Sequence, residues 1–264
     1  MQQDPQTWDA VAPTYAEDVT QWTTYANEAL RILPVGAGDR ILDIATGPGT
    51  LALLAAPRAA RVEAVDFSPG MIEQLAARAA QSGLTNVGTG VMDAGALRFP
   101  DESFDAAFCL FAYFFFPDRA RAFHEMRRVL RPDGRALIAT WGPIERRPMM
   151  KLGFEAMAEA LPHLPRPSKG DLQDPDECVR EMSEAGFRDV RAEIVTASVH
   201  VESAERYVDL VVRSGAPFAA MRKKLGDEVW SGIQAKLVEA VRRRFPTSGG
   251  ADLSAEAILT IGTR

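Results

Sequence analysis

Short apolar runs alternate with longer amphipathic segments through the first half of the chain. Several of these runs end in an acid or a glycine turn, and an amphipathic segment follows, which is typical of strands that lead into helices. Strands are predicted at about 39–45, 61–66, 86–92, 104–111 and 135–141, with helices at about 6–14, 22–33, 50–57, 68–81 and 118–131. This alternation predicts an α/β fold with a mostly parallel sheet and helices on both faces.

The second half of the chain departs from strict alternation after Gly142. It predicts helices at about 148–160, 174–185, 203–213 and 217–244, and strands at about 190–199 and 255–262. We expect residues 1–142 to hold the N-terminal helices and a ligand-binding core, and residues 175–202 and 249–264 to complete the sheet. Residues 143–174 and 203–248 are too long to be simple connections, so we interpret them as a helical cap. Ligands of open α/β sheets bind beyond the carboxyl ends of the strands, where such a cap would cover the site.

A tight turn joins the first predicted strand to the helix that follows it. Asp43 lies within the strand, and Gly47 and Gly49 form the turn before Thr50. Glycine permits positive φ and lets backbone N–H groups approach a ligand closely. The turn therefore favours a negatively charged or electron-rich group at the start of the helix.

Two further acids end the second and third predicted strands. Asp66 follows Gly47 by 19 positions, and Asp93 comes directly after the run 87–92. A carboxylate at the Asp66 position can accept both hydroxyls of a ribose, with about 1.5–3 kcal/mol for each charge-assisted bond. Asp93 is placed to accept a hydrogen bond from an exocyclic amine such as that of adenine. Each acid also has a structural alternative, as a buried acid, a helix cap or a loop residue.

Two nucleoside cofactors compete for this pattern. The spacing Gly47-x-Gly49-x-x-Ala52, with Asp66 about 20 residues beyond, also fits the fingerprint of a dinucleotide such as NAD. However, Asp43 lies where it would repel a pyrophosphate and attract an ammonium group. S-adenosylmethionine carries an ammonium, a sulfonium and an adenosine, so three carboxylates suit it better than they suit NAD.

Residues 39–141 resemble the class I S-adenosylmethionine-dependent methyltransferases, a family that includes the ubiquinone and menaquinone biosynthesis methyltransferases. The matching segments are Asp43–Thr50, Val65–Met71, Asp93–Ala94, Phe99–Asp105 and Glu125–Gly134, and Trp8–Tyr15 resembles the helix that precedes the fold. The resemblance implies a Rossmann-like, seven-stranded, mostly parallel sheet whose last strand is antiparallel. It also implies S-adenosylmethionine as cofactor and S-adenosylhomocysteine as product.

The family's binding residues transfer to matching positions of this chain. Ala45, Gly47 and Gly49 would hold the methionine part, and Asp43 would support its ammonium. Asp66 would bind the ribose, Met71 would lie against the adenine face, and Asp93 with Ala94 would contact the adenine edge. Tyr15 would close over the methionine end or the substrate. Met71 has a plain alternative, as an apolar residue of an amphipathic helix.

The expected acceptor pocket follows the fourth strand. Tyr113, Phe114 and Phe115 lie where the family lines its acceptor site, and they predict an apolar pocket for a hydrophobic or aromatic small molecule. The alternative is that these rings only pack the cap onto the sheet. Relatives often carry histidine here, so a general base is not evident. His163 and Tyr113 are the candidates, and transfer is expected to depend mainly on proximity and desolvation.

Net charge, apolar runs and cysteine spacing limit the partners and the compartment that the sequence allows. The formal net charge is −6, which argues against nucleic acid as a substrate. No apolar run is long enough for membrane insertion, and the N-terminus resembles no secretory signal. The two cysteines have no metal-site spacing, so we expect reduced thiols, no metal and a cytoplasmic location. The oligomeric state is not indicated.

Three hypotheses for function therefore remain at this point. The first is an S-adenosylmethionine-dependent methyltransferase acting on a small molecule. The second is an NAD-dependent oxidoreductase that uses the Gly47-x-Gly49 loop. The third is a non-catalytic regulator that binds S-adenosylmethionine.

Overall fold

The computed structural model describes residues 4–15, 20–162, 172–214 and 216–264. The predicted base His163 lies outside these residues, as does the rest of the segment 163–171 of the predicted cap. No helix within the described ranges is both long and apolar enough to cross a membrane.

The described strands form one seven-stranded sheet, in the order β3-β2-β1-β4-β5-β7-β6. They are Arg40–Ile44 (β1), Arg61–Asp66 (β2), Val87–Val91 (β3), Phe104–Leu110 (β4), Leu130–Trp141 (β5), Arg188–Val201 (β6) and Ala251–Thr263 (β7). Strands β1 to β5 pair in parallel, whereas β7 runs antiparallel to both β5 and β6. The predicted fold, including the antiparallel last strand, is confirmed.

The helices between and after these strands largely follow the predicted pattern. They are Pro5–Asp9 (α1), Ala12–Tyr15 (α2), Thr20–Ile32 (α3), Thr50–Ala55 (α4), Pro69–Gln81 (α5), Arg119–Val129 (α6), Pro148–Ala160 (α7), Pro175–Glu184 (α8), Ala204–Ser214 (α9), Ala216–Leu225 (α10) and Asp227–Arg242 (α11). Two helices that were predicted as continuous are each broken into two in the structure. The first divides into α1 and α2, and the one predicted at 217–244 is broken at Gly226, whose φ is 81°.

Both faces of the sheet are buried, as expected for parallel strands. In β1, Ile41 packs in a cluster that contains Tyr25 of α3, and its neighbour Leu42 packs in a second cluster that contains Phe123 of α6. The chain leaves β1 for β2 on one side and later returns to β4 on the other. This reversal of strand order opens a crevice at the carboxyl ends of these strands, which is the usual ligand position in such sheets.

A third apolar cluster joins α7, α9 and α11 to the ends of β6 and β7. Tyr207 of α9 is buried in it and donates a hydrogen bond to the carbonyl oxygen of Met149 in α7. Leu237 and Val241 come from α11, so the three helices share one core. These helices belong to the predicted cap, and their position over an acceptor remains a prediction.

Candidate functional site

The turn after β1 brings three residues with positive φ to the carboxyl edge of the sheet. The φ angles are 53° at Ala45, 56° at Gly47 and 84° at Gly49. A Cβ at Gly49 would lie 2.1 Å from Cδ1 of Leu75, so this position requires glycine for close packing against α5. At Gly47 a Cβ would meet no atom within 4 Å, because this residue faces a cavity. The turn thus has one glycine that permits packing and one that leaves space.

Asp43 is buried beneath this turn and stabilises its shape. Its Oδ2 accepts hydrogen bonds from Thr46 Oγ1 at 2.6 Å and from the backbone N–H of Ala52 at 3.1 Å. Burial raises the pKa of Asp43 to about 7, although the two hydrogen bonds oppose the increase, and the nearby Asp66 adds to it. A cationic group in the cavity would favour the ionised form of this acid.

Asp66 connects the same turn to the segment after β2. Its Oδ2 accepts from the N–H of Gly47, and its Oδ1 accepts from the N–H of Ser68, both at 2.9 Å. Burial raises the pKa of Asp66 to about 6 against these backbone hydrogen bonds. Each carboxylate oxygen keeps a second lone pair, so Asp66 can also accept from two hydroxyl groups of a ligand.

The third predicted acid lies at the end of β3 and is exposed. Asp93 accepts a hydrogen bond through Oδ1 from the N–H of Gly95 at 2.8 Å. Asp93, Ala94 and Met92 line the same cavity as the other two acids, and so does the buried Met71 of α5. The structure therefore brings the predicted residues of three strand ends together.

Aromatic side chains from the N-terminal helices cover the cavity. Tyr15 stacks on Trp22 with ring centroids 5.8 Å apart, and Trp8 packs edge-on against Phe115 at 5.8 Å. Phe111 contacts Trp22 at 5.3 Å and continues the aromatic wall. Trp8, Trp22 and Phe111 were not among the predicted site residues. The signal that could have revealed Trp8 and Trp22 is the presence of large aromatic residues in two helices that precede the sheet.

The first helix is attached directly to the start of α5. Asp9 Oδ1 accepts from Ser68 Oγ at 2.5 Å and from the N–H of Gly70 at 2.9 Å. Ser68 Oγ in turn accepts from the N–H of Met71 and caps α5. A carboxylate at this helix start is favoured by the helix dipole. Asp9 therefore holds Trp8 over the cavity.

The structure does not bring Tyr113 or Phe114 to the cavity. The chain turns at Phe111, where φ is 58°, and residues 113–115 form a 3₁₀ turn. Tyr113 is fully buried between Phe116 and Phe123, and its hydroxyl lies 3.7 Å from the sulfur of Met126. Burial raises the pKa of Tyr113 well above its ordinary value, which is unfavourable for a base. Of the three predicted pocket residues only Phe115 lines the cavity.

The cavity has a volume of about 340 Å³, and its lining combines two chemical classes of side chain. Asp43, Asp66 and Asp93 supply carboxylates, and several aromatic rings supply apolar surface. Its described lining consists of Trp8, Tyr15, Trp22, Ala26, Asp43, Ala45, Thr46, Gly47, Pro48, Thr50, Leu51, Asp66, Phe67, Met71, Met92, Asp93, Ala94, Leu110, Phe111, Ala112, Phe115, Phe116 and Pro117. Among these residues none comes from the predicted cap.

Comparisons with known proteins point to one family. A methyltransferase domain family matches residues 41–134. A demethylmenaquinone methyltransferase of Mycobacterium sp. (strain KMS) is 33% identical over 166 residues, which cover 60% of this chain and 68% of the relative. An uncharacterized protein of Mycobacterium tuberculosis is 38% identical over 107 residues, which cover 40% of this chain but only 39% of the relative.

A solved structure supports the same fold. The YcgJ protein of Bacillus subtilis superposes with a TM-score of 0.60 over 90% of this chain and 98% of its own, at 23% identity. The chain belongs to the class I S-adenosylmethionine-dependent methyltransferase family. The cofactor of this class is S-adenosylmethionine, and the donor set of the cavity fits it. The acids suit its ammonium, ribose and adenine, and the space at Gly47 is space that a Cβ would fill.

Proposed function

We propose that this protein transfers a methyl group from S-adenosylmethionine to a hydrophobic or aromatic small molecule. The observation that carries the proposal is the cavity in which the acids Asp43, Asp66 and Asp93 face the same space as the aromatic residues Trp22 and Phe111. The acids suit the cofactor, and the aromatic rings suit a flat or apolar acceptor. The relative named demethylmenaquinone methyltransferase is consistent with an apolar acceptor.

In this proposal the three acids divide the cofactor between them. Asp66 accepts the ribose hydroxyls with the lone pairs that Gly47 and Ser68 leave available. Asp43 supports the turn and attracts the ammonium group. Asp93 and Ala94 contact the adenine edge, and Met71 lies against the adenine face; all three residues line the cavity.

The bound cofactor supplies an electrophilic methyl group on a sulfonium, and the protein aligns the acceptor with it. Methyl transfer neutralises the positive charge, so an apolar, water-poor environment favours the reaction. The rings of Tyr15, Trp22 and Phe115 exclude water and restrict the orientation of the acceptor. Orientation of this kind can contribute about 7–11 kcal/mol to lowering a barrier.

Proton abstraction by the protein is not required in this proposal. The described lining of the cavity contains no histidine or lysine. Burial raises the pKa of Tyr15, and the charge of Asp66 raises it further, so its phenol stays protonated. We also place the protein in the cytoplasm, since its two cysteines are buried and free.

The proposal is tested by isothermal titration with S-adenosylmethionine, S-adenosylhomocysteine and NAD. We expect binding of the two sulfur nucleosides and none of NAD. Asp66→Asn should weaken the binding of both nucleosides by about tenfold or more, because it removes a charged acceptor of hydrogen bonds from hydroxyl groups. The matched control is Asp252→Asn, which changes an exposed aspartate paired with His200. Binding of NAD alone would instead support the oxidoreductase alternative.

Methyl transfer itself is tested with S-adenosylmethionine that carries a labelled methyl group. Quinols, phenols and apolar amines serve as acceptors, and the label is followed into the organic phase. Transfer to at least one apolar acceptor is expected. Cofactor binding with no transfer to any acceptor class would favour the non-catalytic regulator.

A further inference from the structure

The segment 93–97 follows β3 and forms a compact turn beside the cavity. The carboxylate of Asp93 accepts from the N–H of Gly95 at 2.8 Å, and the carbonyl oxygen of Asp93 accepts from the N–H of Ala96 at 3.0 Å. Asp93 and Ala94 both line the cavity. The remaining backbone groups of this turn lie outside the sheet ladders, so their partners decide where the turn and its carboxylate lie.

Helix α6 supplies these partners from one face. Arg121, Glu125 and Arg128 are spaced by four and three positions, which places their side chains on the same side of the helix. Arg121 Nε donates to the carbonyl oxygen of Gly95 at 2.6 Å. Glu125 Oε2 accepts from the N–H of Leu97 at 2.8 Å, and Arg128 Nη2 donates to the carbonyl oxygen of Leu97 at 2.9 Å. Both backbone groups of Leu97 are thus held by one pair of side chains.

Glu125 and Arg128 also hold each other in a two-point ion pair. Nε of the arginine lies 2.7 Å from Oε1 of the carboxylate, and Nη2 lies 2.9 Å from Oε2. Nη1 of Arg128 donates further to the carbonyl oxygen of Phe99 at 2.9 Å and to Asp101 at 2.6 Å. The exposed fraction of the side chain is only 13% for Glu125 and 22% for Arg128. Such a pair fixes direction as well as distance, so the carboxylate is aimed at the N–H of Leu97.

The helix that carries this pair is a fixed support. Phe123 and Met126 of α6 are fully buried in the same core cluster that contains Ala94 and Leu97 of the turn. A displacement of Leu97 would therefore move the turn that carries Asp93. A buried ion pair is by itself weak evidence of a stabilising role, whereas this one has a defined geometric effect on a segment that lines the cavity.

We propose that Glu125 and Arg128, together with Arg121, position Asp93 to accept a hydrogen bond from the exocyclic amine of adenine. None of the three α6 residues is in the described lining of the cavity, so they act through the backbone of the turn and are positioning residues. Hydrogen bonds weaken steeply when their angle departs from linear, so the orientation of Asp93 determines how selectively it binds the amine. This inference rests on the proposed function, in which Asp93 contacts the adenine edge.

The test measures selectivity for the adenine amine and not affinity alone. Isothermal titration compares S-adenosylhomocysteine with an analogue in which unsubstituted purine replaces adenine, so that only the exocyclic amine is missing. The variants are Arg128→Met, Glu125→Gln and Arg121→Met. Arg127→Met is the matched control, because Arg127 lies on the same helix and donates to the carbonyl oxygen of Gly186, outside the turn.

We expect the unaltered protein to bind S-adenosylhomocysteine at least about fivefold more tightly than the analogue, and Asp93→Ala to abolish this preference. Arg128→Met should reduce the preference to about twofold or less, while its affinity for the analogue changes by less than about threefold. Arg121→Met and Glu125→Gln should show intermediate preferences, since each removes only part of the support. Arg127→Met should retain the full preference. In the Asp93→Ala background, Arg128→Met should not change the preference further, because both substitutions act on one contact.

Four results would overturn the inference. A purely structural role of Arg128 would weaken both ligands equally in Arg128→Met and leave the preference unchanged. A preference that is lost in Asp93→Ala but kept in all three α6 variants would leave Asp93 in its proposed role and reject only the positioning. Equal binding of the two ligands by the unaltered protein would reject the contact itself. Failure of the unaltered protein to bind S-adenosylhomocysteine would reject the proposed function and the inference with it.

Folding of the variants does not limit the test. If Arg128→Met does not fold, Arg121→Met still decides, because the Arg121 side chain is exposed and reaches the turn through its bond to Gly95. An unchanged preference in a folded Arg121→Met protein, together with an unchanged preference in Glu125→Gln, would then reject the positioning role.

Discussion

Asp9 in the first helix and Ser68 at the start of α5 are joined by a hydrogen bond of 2.5 Å between Oδ1 and Oγ, across 59 positions of sequence. This bond connects the covering helix to the segment that also carries the backbone N–H donor to Asp66. The cover and Asp66, the proposed ribose-binding acid, are therefore coupled through Ser68. Substitutions in the N-terminal helix should therefore change the affinity for the cofactor.

Asp9→Ala should weaken binding of S-adenosylhomocysteine by about fivefold to thirtyfold, since it removes two hydrogen bonds worth roughly 1–2 kcal/mol together. Titration calorimetry measures the loss. The control is Asp4→Ala, which removes the N-cap of α1 but no contact with α5. If the two variants lose affinity equally, formation of the helix matters and its attachment to Ser68 does not.

The two glycines of the turn should respond differently to alanine. Gly49→Ala should lower the free energy of unfolding by about 2–4 kcal/mol. The new Cβ collides with Leu75, and the alanine must also keep the left-handed φ of this position. Gly47→Ala meets no neighbouring atom, so only the backbone cost of about 1–2 kcal/mol applies.

Binding should show the reverse order of sensitivity in the folded proteins. The methyl group of Gly47→Ala enters the cavity and should weaken the binding of S-adenosylhomocysteine by at least about tenfold. Urea denaturation and titration calorimetry provide the two readouts. Unchanged affinity in Gly47→Ala would mean that the cofactor does not approach this part of the turn.

Cofactor affinity should increase with pH. The pKa values of Asp43 and Asp66 are raised to about 7 and about 6, so both acids are largely protonated at about pH 5 and ionised at about pH 8. The ammonium of S-adenosylhomocysteine favours the ionised forms, and binding should therefore be tighter at the higher pH. Asp43→Asn should flatten the upper part of the profile, and a flat profile in the unaltered protein would contradict the assignment.

The same shifts predict the stability of the free protein. A folded-state pKa above the unfolded value of 3.8 means that the folded protein binds more protons between pH 3.8 and about 7. The contribution of Asp43 to the free energy of unfolding should thus fall as the pH rises through this window. Asp43→Asn should remove this component in urea denaturation at several pH values, and a slope that is the same in both proteins would assign it to other groups.

Trp22 and Tyr113 should differ in their effect on the acceptor. Trp22→Ala removes part of the cavity wall and should raise the acceptor KM by about tenfold, in line with the loss of a large apolar contact. Tyr113→Phe removes only a hydroxyl that touches Met126, so the kcat of methyl transfer should remain within about twofold. A large loss of kcat in Tyr113→Phe would restore Tyr113 as a catalytic residue.

The sequence predicted those parts of the site that depend on local spacing. Asp43, Gly47, Asp66 and Asp93 lie at the ends of consecutive parallel strands, and the geometry of such a sheet forces these ends together. The side of the sheet to which the Tyr113 side chain turns could not be predicted in this way. It depends on the turn at Phe111 and on a 3₁₀ turn that rotates successive side chains to different sides.

Other residues could not be predicted because their positions depend on long-range contacts. Trp8 reaches the cavity because Asp9 attaches its helix to α5, and Trp22 reaches it because α3 packs on the sheet core; no local pattern specifies either partner. Arg147 is an ordinary charged residue in the sequence, and only the fold reveals that it is buried without an acid. Its burial results from long-range packing, which no local sequence pattern specifies.

Strands β6 and β7 belong to two apolar cores at once. Val195 and Ala257 pair within the sheet core, while the pairs Val199–Leu253 and Val201–Ala251, further along the same ladder, pack with the cluster of α7, α9 and α11. The helical region therefore cannot melt independently without exposing the ends of two sheet strands. A substitution that loosens these helices should therefore also weaken the sheet, so the helical region and the fold that holds the cofactor are expected to lose stability together.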